Sequence, residues 1–169
     1  VRSIMPRVKI NSIVYGGGQE RNIRSGTLNV PGIVGFAKAV EIAIDEMDSE
    51  NKKYKKWTDT MLEKFLAVGG KLNGHLTNRL VHNLNIRFDG VQSKSIINTV
   101  SKKIAISAGS ACTTDLVEPS HVLLALGLSE KQAHNSIRIG CNRFNTNEEI
   151  LAAIDEILNA LKSIEKIKI

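Results

Sequence analysis

The loop Ser107-Ala108-Gly109-Ser110-Ala111-Cys112-Thr113-Thr114 sets a thiol among small and hydroxylated residues. A structural cysteine usually packs among branched apolar neighbours, and Cys112 has none beside it. The thiolate form of cysteine is a nucleophile, and basic or dipolar surroundings favour that form. A run of Ala, Gly, Ser and Thr is also a slack tether on which a sulfur atom can travel. From these residues alone Cys112 reads equally as a reactive thiol or as a spectator. Cys141 follows a strand-like segment and reads as a structural or semi-buried thiol. The two cysteines form no C-x-x-C pair, which argues against a zinc site or a disulfide framework and for two free thiols in a reducing compartment.

Two further groups have useful chemistry. Arg24-Ser25-Gly26-Thr27 combines a glycine, which allows close backbone approach, with hydroxyls and a guanidinium that suit a phosphate. Alone the string carries little weight, because short turns of this composition are more often plain loops. Arg138 lies in Ser136-Ile137-Arg138-Ile139. If that segment is a strand with Ile137 and Ile139 toward a core, Arg138 points to the other face. Its planar fork there matches a carboxylate, although a surface ion pair is the commoner fate of an arginine. His121 is the histidine nearest Cys112 in sequence. His75, His82 and His134 show no metal-ligand spacing, so no metal site is expected. Gly16-Gly17-Gly18 is not a dinucleotide fingerprint, because no G-x-G-x-x-G runs into a helix.

The elements that must position these groups follow from hydrophobic periodicity. Val8, Ile10 and Ile13 to Tyr15 suggest a short strand running into Gly16-Gly17-Gly18. Pro31 suits a first helical turn, and Ile33, Val34, Ala37, Val40, Ile44 and Met47 then recur at helical spacing. A second helix is expected over 51–67, with Trp57, Met61, Leu62 and Phe65 on one side and Gly69-Gly70 ending it. Leu84, Ile86 and Phe88 alternate with Asn83, Asn85 and Arg87, a strand with one buried face, and Asp89-Gly90 turns the chain. A helix over 95–100, a strand over 104–106, a loop over 107–119, a helix over 120–126 stopped by Gly127, and a strand over 136–140 follow. Thr146 and Glu149 form an S/T-x-x-E capping box ahead of a stripe of Ile150, Ala153, Ile154, Ile157, Leu158 and Leu161. This order predicts an α/β or α+β fold, one short sheet with helices packed on it.

The 42% hydrophobic and 24% charged content is that of a globular protein, and the 4% aromatic content requires a mostly aliphatic core. No apolar run reaches the ~20 residues that span a bilayer, and no charged-then-apolar leader opens the sequence, so no membrane partner is expected. The net charge of +6 fits an acidic partner or a solubilising surface; the second is the commoner cause, and no direct nucleic-acid contact is expected. Lys52, Lys53, Lys55 and Lys56 are expected on one wet helix face.

Three stretches in register resemble the IscS/NifS cysteine desulfurases. They are Gly16-Gly17-Gly18-Gln19-Glu20-Arg21 with Arg24-Ser25-Gly26-Thr27, then Ser107 to Thr113 with Glu118-Pro119-Ser120-His121 and Ala125-Leu126-Gly127, and finally Ser136-Ile137-Arg138 with Arg143-Phe144-Asn145-Thr146 and Glu148-Glu149-Ile150. The likeness covers nearly the whole chain. It implies the C-terminal part of a homodimeric fold-type I pyridoxal 5'-phosphate (PLP) enzyme. Residues 1–45 would be the tail of the large PLP-binding domain, and 46–169 the small C-terminal domain carrying the cysteine loop.

The implied reaction converts L-cysteine to L-alanine and passes sulfur to acceptors, for iron–sulfur cluster assembly or tRNA thiolation. Cys112 would attack the substrate sulfur and hold a persulfide, Arg138 would grip the substrate carboxylate, and Thr27 would bind the cofactor phosphate across the dimer. No segment resembles the family's PLP lysine, its aspartate for the pyridine nitrogen or its ring-stacking histidine. The cofactor lysine is therefore expected outside this chain, and the chain alone is expected to be inactive. The implied partners are a sulfur-acceptor or iron–sulfur scaffold protein, in the cytoplasm or, in a eukaryote, the mitochondrial matrix. The competing readings are a non-catalytic module that docks a sulfur acceptor and a selenocysteine lyase of the same fold.

Overall fold

A computed structural model of the 169-residue chain describes residues 10–108 and 118–167. The chain divides into two compact units, Val1–Glu46 and Met47–Ile169.

In the first unit the expected strand is absent from the described residues. Val8 lies outside them, and 10–15 form no regular structure. These residues find no partner strand there. Instead the Val14 carbonyl accepts from the Ser25 N–H at 3.3 Å and from the Ser12 hydroxyl at 2.7 Å. Gln19–Asn22 make one 3₁₀ turn in which Glu20, Arg21 and Asn22 all have positive φ. Helix α1 (Val30–Leu66) begins here, with Pro31 in its first turn as its missing N–H allows. The apolar positions Ile33, Val34, Val40, Ile44 and Met47 are exposed along it.

The two helices expected on either side of residue 50 are one. The segment Asp48 to Lys56 contains no Gly or Pro to break the ladder, and α1 runs through it for 37 residues. Its second half buries Tyr54, Trp57, Met61, Leu62 and Phe65.

The second unit is a four-stranded antiparallel sheet covered on one face by helices. The strands are β1 (Gly70–Leu72), β2 (Asn83–Phe88), β3 (Ser107–Ala108) and β4 (Ser136–Gly140), in the order β1-β2-β4-β3. Alternation sets the register. Leu84 opposes Ile139 and Ile86 opposes Ile137 on one face, while Asn85 opposes Arg138 on the other. The helices are α1, α2 (Ser93–Val100), α3 (His121–Ala125), α4 (Glu130–His134) and α5 (Asn147–Ile167).

The core joins Tyr54, Trp57, Met61 and Phe65 of α1 to Leu84, Ile86, Phe88, Ile137 and Ile139 of the sheet and to Ile96, Ile150, Ile154, Ile157 and Leu161 of α2 and α5. The Phe65 and Phe88 rings meet edge to face at 5.9 Å. Gly70 is required where α1 returns into β1, because a Cβ there would lie 2.6 Å from the Phe65 carbonyl oxygen and 2.9 Å from the Phe88 ring. The capping box of α5 forms as expected: the Glu149 N–H donates to the Thr146 hydroxyl at 3.2 Å, and the Thr146 N–H to the Glu149 carboxylate at 3.1 Å.

Two more expectations shift. The strand expected at 104–106 falls instead at Ser107–Ala108, because β4 offers its partners there, Arg138 to Ser107 and Ile137 to Ala108. Lys53 leaves the wet face of α1. Its ammonium lies over the rings of Trp57 (5.0 Å) and Tyr54 (5.5 Å) and donates to the Arg143 carbonyl at 3.1 Å. The other three lysines of the run are exposed. Among the described residues no helix is long and apolar enough to cross a membrane.

Candidate functional site

Arg138 sits in the middle of β4, and the strand's alternation decides where it goes. Ile137 and Ile139 are buried in the core, and Arg138 is exposed on the opposite face. It lies between Asn85 on β2 and Ser107 on β3, its register partners on either side. Among the described residues its guanidinium has no hydrogen-bond or ion-pair partner. Ser107 is also the first residue of the loop that carries Cys112. Cys112 itself, within 109–117, lies outside the described residues.

The polar side of the sheet around Arg138 is organised by Asn73, just beyond β1. Its amide nitrogen donates to Asn85 Oδ1 at 2.7 Å and to Ser136 Oγ at 2.9 Å, and its amide oxygen accepts from Arg87 Nη1 at 2.7 Å. Its backbone N–H donates to the Asn85 carbonyl at 3.0 Å. Ser136, fully buried, donates its own hydroxyl hydrogen bond to the Gln132 carbonyl at 2.7 Å. Asn85 and Ser136 flank Arg138 on neighbouring and same-strand positions, so this bracket fixes the backbone from which the guanidinium projects. Arg87 completes it by pairing with Asp89 at 3.4 Å. Asp89 also holds Lys71 at 2.6 Å, and that hydrogen bond, ahead of the charge of Arg87, holds its carboxyl below the usual aspartate range. Sequence reasoning placed Asn85 and Arg87 on the polar face but missed Asn73, which falls in a stretch with no periodicity.

Arg24-Ser25-Gly26-Thr27 forms a braced turn within the first unit. The Arg24 guanidinium donates to the Gly26 carbonyl at 3.0 Å and to the Thr27 carbonyl at 2.7 Å. The Gly26 N–H donates to Gln19 Oε1 at 3.0 Å, and Gly26 has φ +94°, a backbone state open to glycine and strained for other residues. Arg24 thus serves the turn itself and is not spread toward a ligand. Thr27 is exposed, and its hydroxyl has no partner among the described residues.

Cys141 is the opposite kind of thiol from one built for attack. It is buried in the core cluster, and burial pushes its pKa up. Among the described residues no group of His, Cys, Asp and Glu can hold a metal ion. His75 caps the turn after β1, its Nδ1 accepting from the N–H groups of Thr77 (3.0 Å) and Asn78 (2.9 Å). Arg143 pairs with Glu50 at 2.9 Å. Burial would raise the Glu50 pKa, but hydrogen bonds from Arg143 and Tyr54, together with the charges of Arg143 and Lys53, outweigh it and hold the carboxyl low.

The family model described as aminotransferase class-V matches residues 4–152. Cysteine desulfurase IscS of Methylobacillus flagellatus is 49% identical over 146 residues, which are 86% of this chain and 36% of that protein. Cysteine desulfurase IscS of Rickettsia typhi is 42% identical over 164 residues, 96% of this chain and 40% of that one. A solved structure titled NifS-like protein superposes with a TM-score of 0.78 at 32% identity, covering 93% of this chain and 40% of its own. The chain thus spans about 40% of the length of the relatives it matches.

Proposed function

This chain belongs to the class-V aminotransferase family, and on that premise we propose that it is the C-terminal part of a PLP-dependent cysteine desulfurase. The observation that carries the reading is the position of Arg138. It projects, without an ion-pair partner among the described residues, from the strand position registered to Ser107, where the Cys112 loop begins.

Residues 1–45 are then the tail of the large domain, and 46–169 the small domain. Substrate L-cysteine offers a carboxylate, which the Arg138 fork binds through paired charge-assisted hydrogen bonds. The Asn73 bracket steadies the strand from which that fork projects, so the substrate carboxylate is met at a defined place on β4. Cys112 lies four residues beyond Ala108, so an extended chain allows at most ~14 Å between their Cα atoms. Ala108 pairs with Ile137, next to Arg138, and the tether therefore permits the thiol to reach a substrate held at Arg138.

In the reaction, the Cys112 thiolate bonds to the substrate sulfur as the substrate C–S bond breaks. The electron pair of that bond stays with the carbon fragment, which leaves as alanine after protonation. PLP, when bound, supplies the electron sink for this cleavage. The residues present fit the phosphate end of that cofactor. Thr27 offers an exposed hydroxyl on a turn already braced by Arg24 and Gln19, and in a homodimer it would serve the other subunit's cofactor. The cofactor lysine lies outside this chain. Cys112 then carries the persulfide to an acceptor, such as an iron–sulfur scaffold or a thiolation partner, in the cytoplasm or a mitochondrial matrix.

Incubating the full-length protein with PLP and L-cysteine, and measuring alanine and sulfide in the presence of a thiol reductant, tests the assignment. Equal amounts of the two products are expected, with none from the 169-residue chain alone. Absence of alanine from the PLP-loaded full-length protein would rule the proposal out.

A further inference from the structure

The start of α2 opens into a cleft of about 660 Å³ on the small unit. Gln92, Ser93 and Lys94 wall it on one side, and Glu130, Lys131 and His134 of α4 on the other. Gln92 caps α2 without any side-chain hydrogen bond. The Ser95 and Ile96 N–H groups return to the Gln92 carbonyl at 3.0 and 3.4 Å. The N–H groups of Ser93 and Lys94 have no acceptor among the described residues, and the first turn of α2 holds no acidic residue to offset the positive end of the helix dipole.

A bare helix start attracts water as readily as an anion, and Ser93 supplies the second observation. Its residue surface is only 5% exposed, it lines the cleft, and its hydroxyl has no hydrogen-bond partner among the described residues. The hydroxyl is thus open only toward the cleft, where a ligand oxygen or water can meet it. Asn135 does not supply a partner. With its amide oriented by the network, it bridges the Val91 carbonyl and the Gly90 N–H, both at 3.1 Å. Lys94 and Lys131 reach the cleft from opposite walls and have no ion-pair partner among the described residues. Glu130 is the only carboxylate among the lining residues.

We propose that this cleft binds a phosphate group, either as inorganic phosphate or as the end of a phosphate monoester. The two free N–H groups and the Ser93 hydroxyl would hold its oxygens, and Lys94 and Lys131 its charge. The cleft is larger than a tetrahedral oxyanion needs and lies within the range of small-molecule sites, which leaves room for the alcohol part of an ester. The site uses none of Cys112, Arg138 or Thr27 and stands apart from the proposed desulfurase reaction.

The test is isothermal titration of the PLP-saturated full-length protein with inorganic phosphate and, separately, with ribose 5-phosphate. Parallel titrations use Lys94→Gln/Lys131→Gln, Ser93→Ala and Thr27→Ala. Saturable binding is expected, weakened by at least about tenfold in the double lysine variant, weakened in Ser93→Ala, and unchanged in Thr27→Ala. Tighter binding of the ester assigns the site to monoesters, and equal binding assigns it to free phosphate. No saturable binding of either probe would overturn the proposal. So would binding that survives loss of both lysines, or binding that disappears with Thr27 and so belongs to the cofactor.

Discussion

Replacing Asn73 by Ala removes three side-chain hydrogen bonds at once and leaves the backbone bond to Asn85 in place. Two of the lost bonds are neutral, to Asn85 at 2.7 Å and Ser136 at 2.9 Å, and the third, at 2.7 Å, is to the charged Arg87. A neutral bond contributes about 1 kcal/mol net and one to a charged group about 2, which gives about 4 kcal/mol. Ser136 keeps its bond to the Gln132 carbonyl. The Arg87 side chain is 17% exposed, so water can replace part of what it loses. The expected loss is therefore about 3 kcal/mol. In a chain of this size that lowers the melting temperature by roughly 6–12 °C. Thermal and urea unfolding followed by far-UV circular dichroism reads both quantities. A variant that melts within about 2 °C of the parent would refute the view that Asn73 organises the polar side of the sheet.

Other expectations follow from the same geometry. In the full-length enzyme Arg138→Gln should raise KM for L-cysteine about 10- to 100-fold, the value of one charge-assisted carboxylate contact, and an unchanged KM would remove Arg138 from the substrate site. Cys141 should resist alkylation at pH 8 in the native chain and react once the chain is unfolded, because burial raises its pKa; rapid native labelling of Cys141 would contradict its place in the core. Lys71 and Arg87 hold the Asp89 pKa below its unfolded value. The stabilisation from Asp89 is therefore complete above the unfolded pKa and fades as pH falls through the folded one. Asp89→Asn should accordingly lose less stability than the parent between pH 5 and pH 3, and parallel acid-unfolding curves would argue against the ion pair.

The parts of the fold legible in the sequence were those where one face is buried and the pattern is strict. β2 alternates Leu84, Ile86 and Phe88 with polar residues, β4 is short but bounded, and α5 carries both a capping box and an unbroken stripe. β1 escaped because three residues are too few to show a period. α4 escaped because it buries only Ala133, although Ser129 and Gln132 form a capping box that marks its start. The second half of α1 was legible, while its continuity was not, because the apolar stripe lapses after Met47 and suggests a break near residue 50, where the sequence contains no helix breaker. The same logic governs the site. The exposed face of Arg138 follows from its apolar neighbours, but the partners that steady the strand come from Asn73, distant in sequence and carrying no motif.

The most direct measurement is mass spectrometry of peptides from the full-length protein after brief exposure to L-cysteine, without reductant. The account predicts that the peptide containing Cys112 gains the mass of one sulfur atom, that reductant removes it, and that the peptide containing Cys141 stays unmodified. Alanine production with no added sulfur at Cys112, or with the sulfur at Cys141, would contradict it.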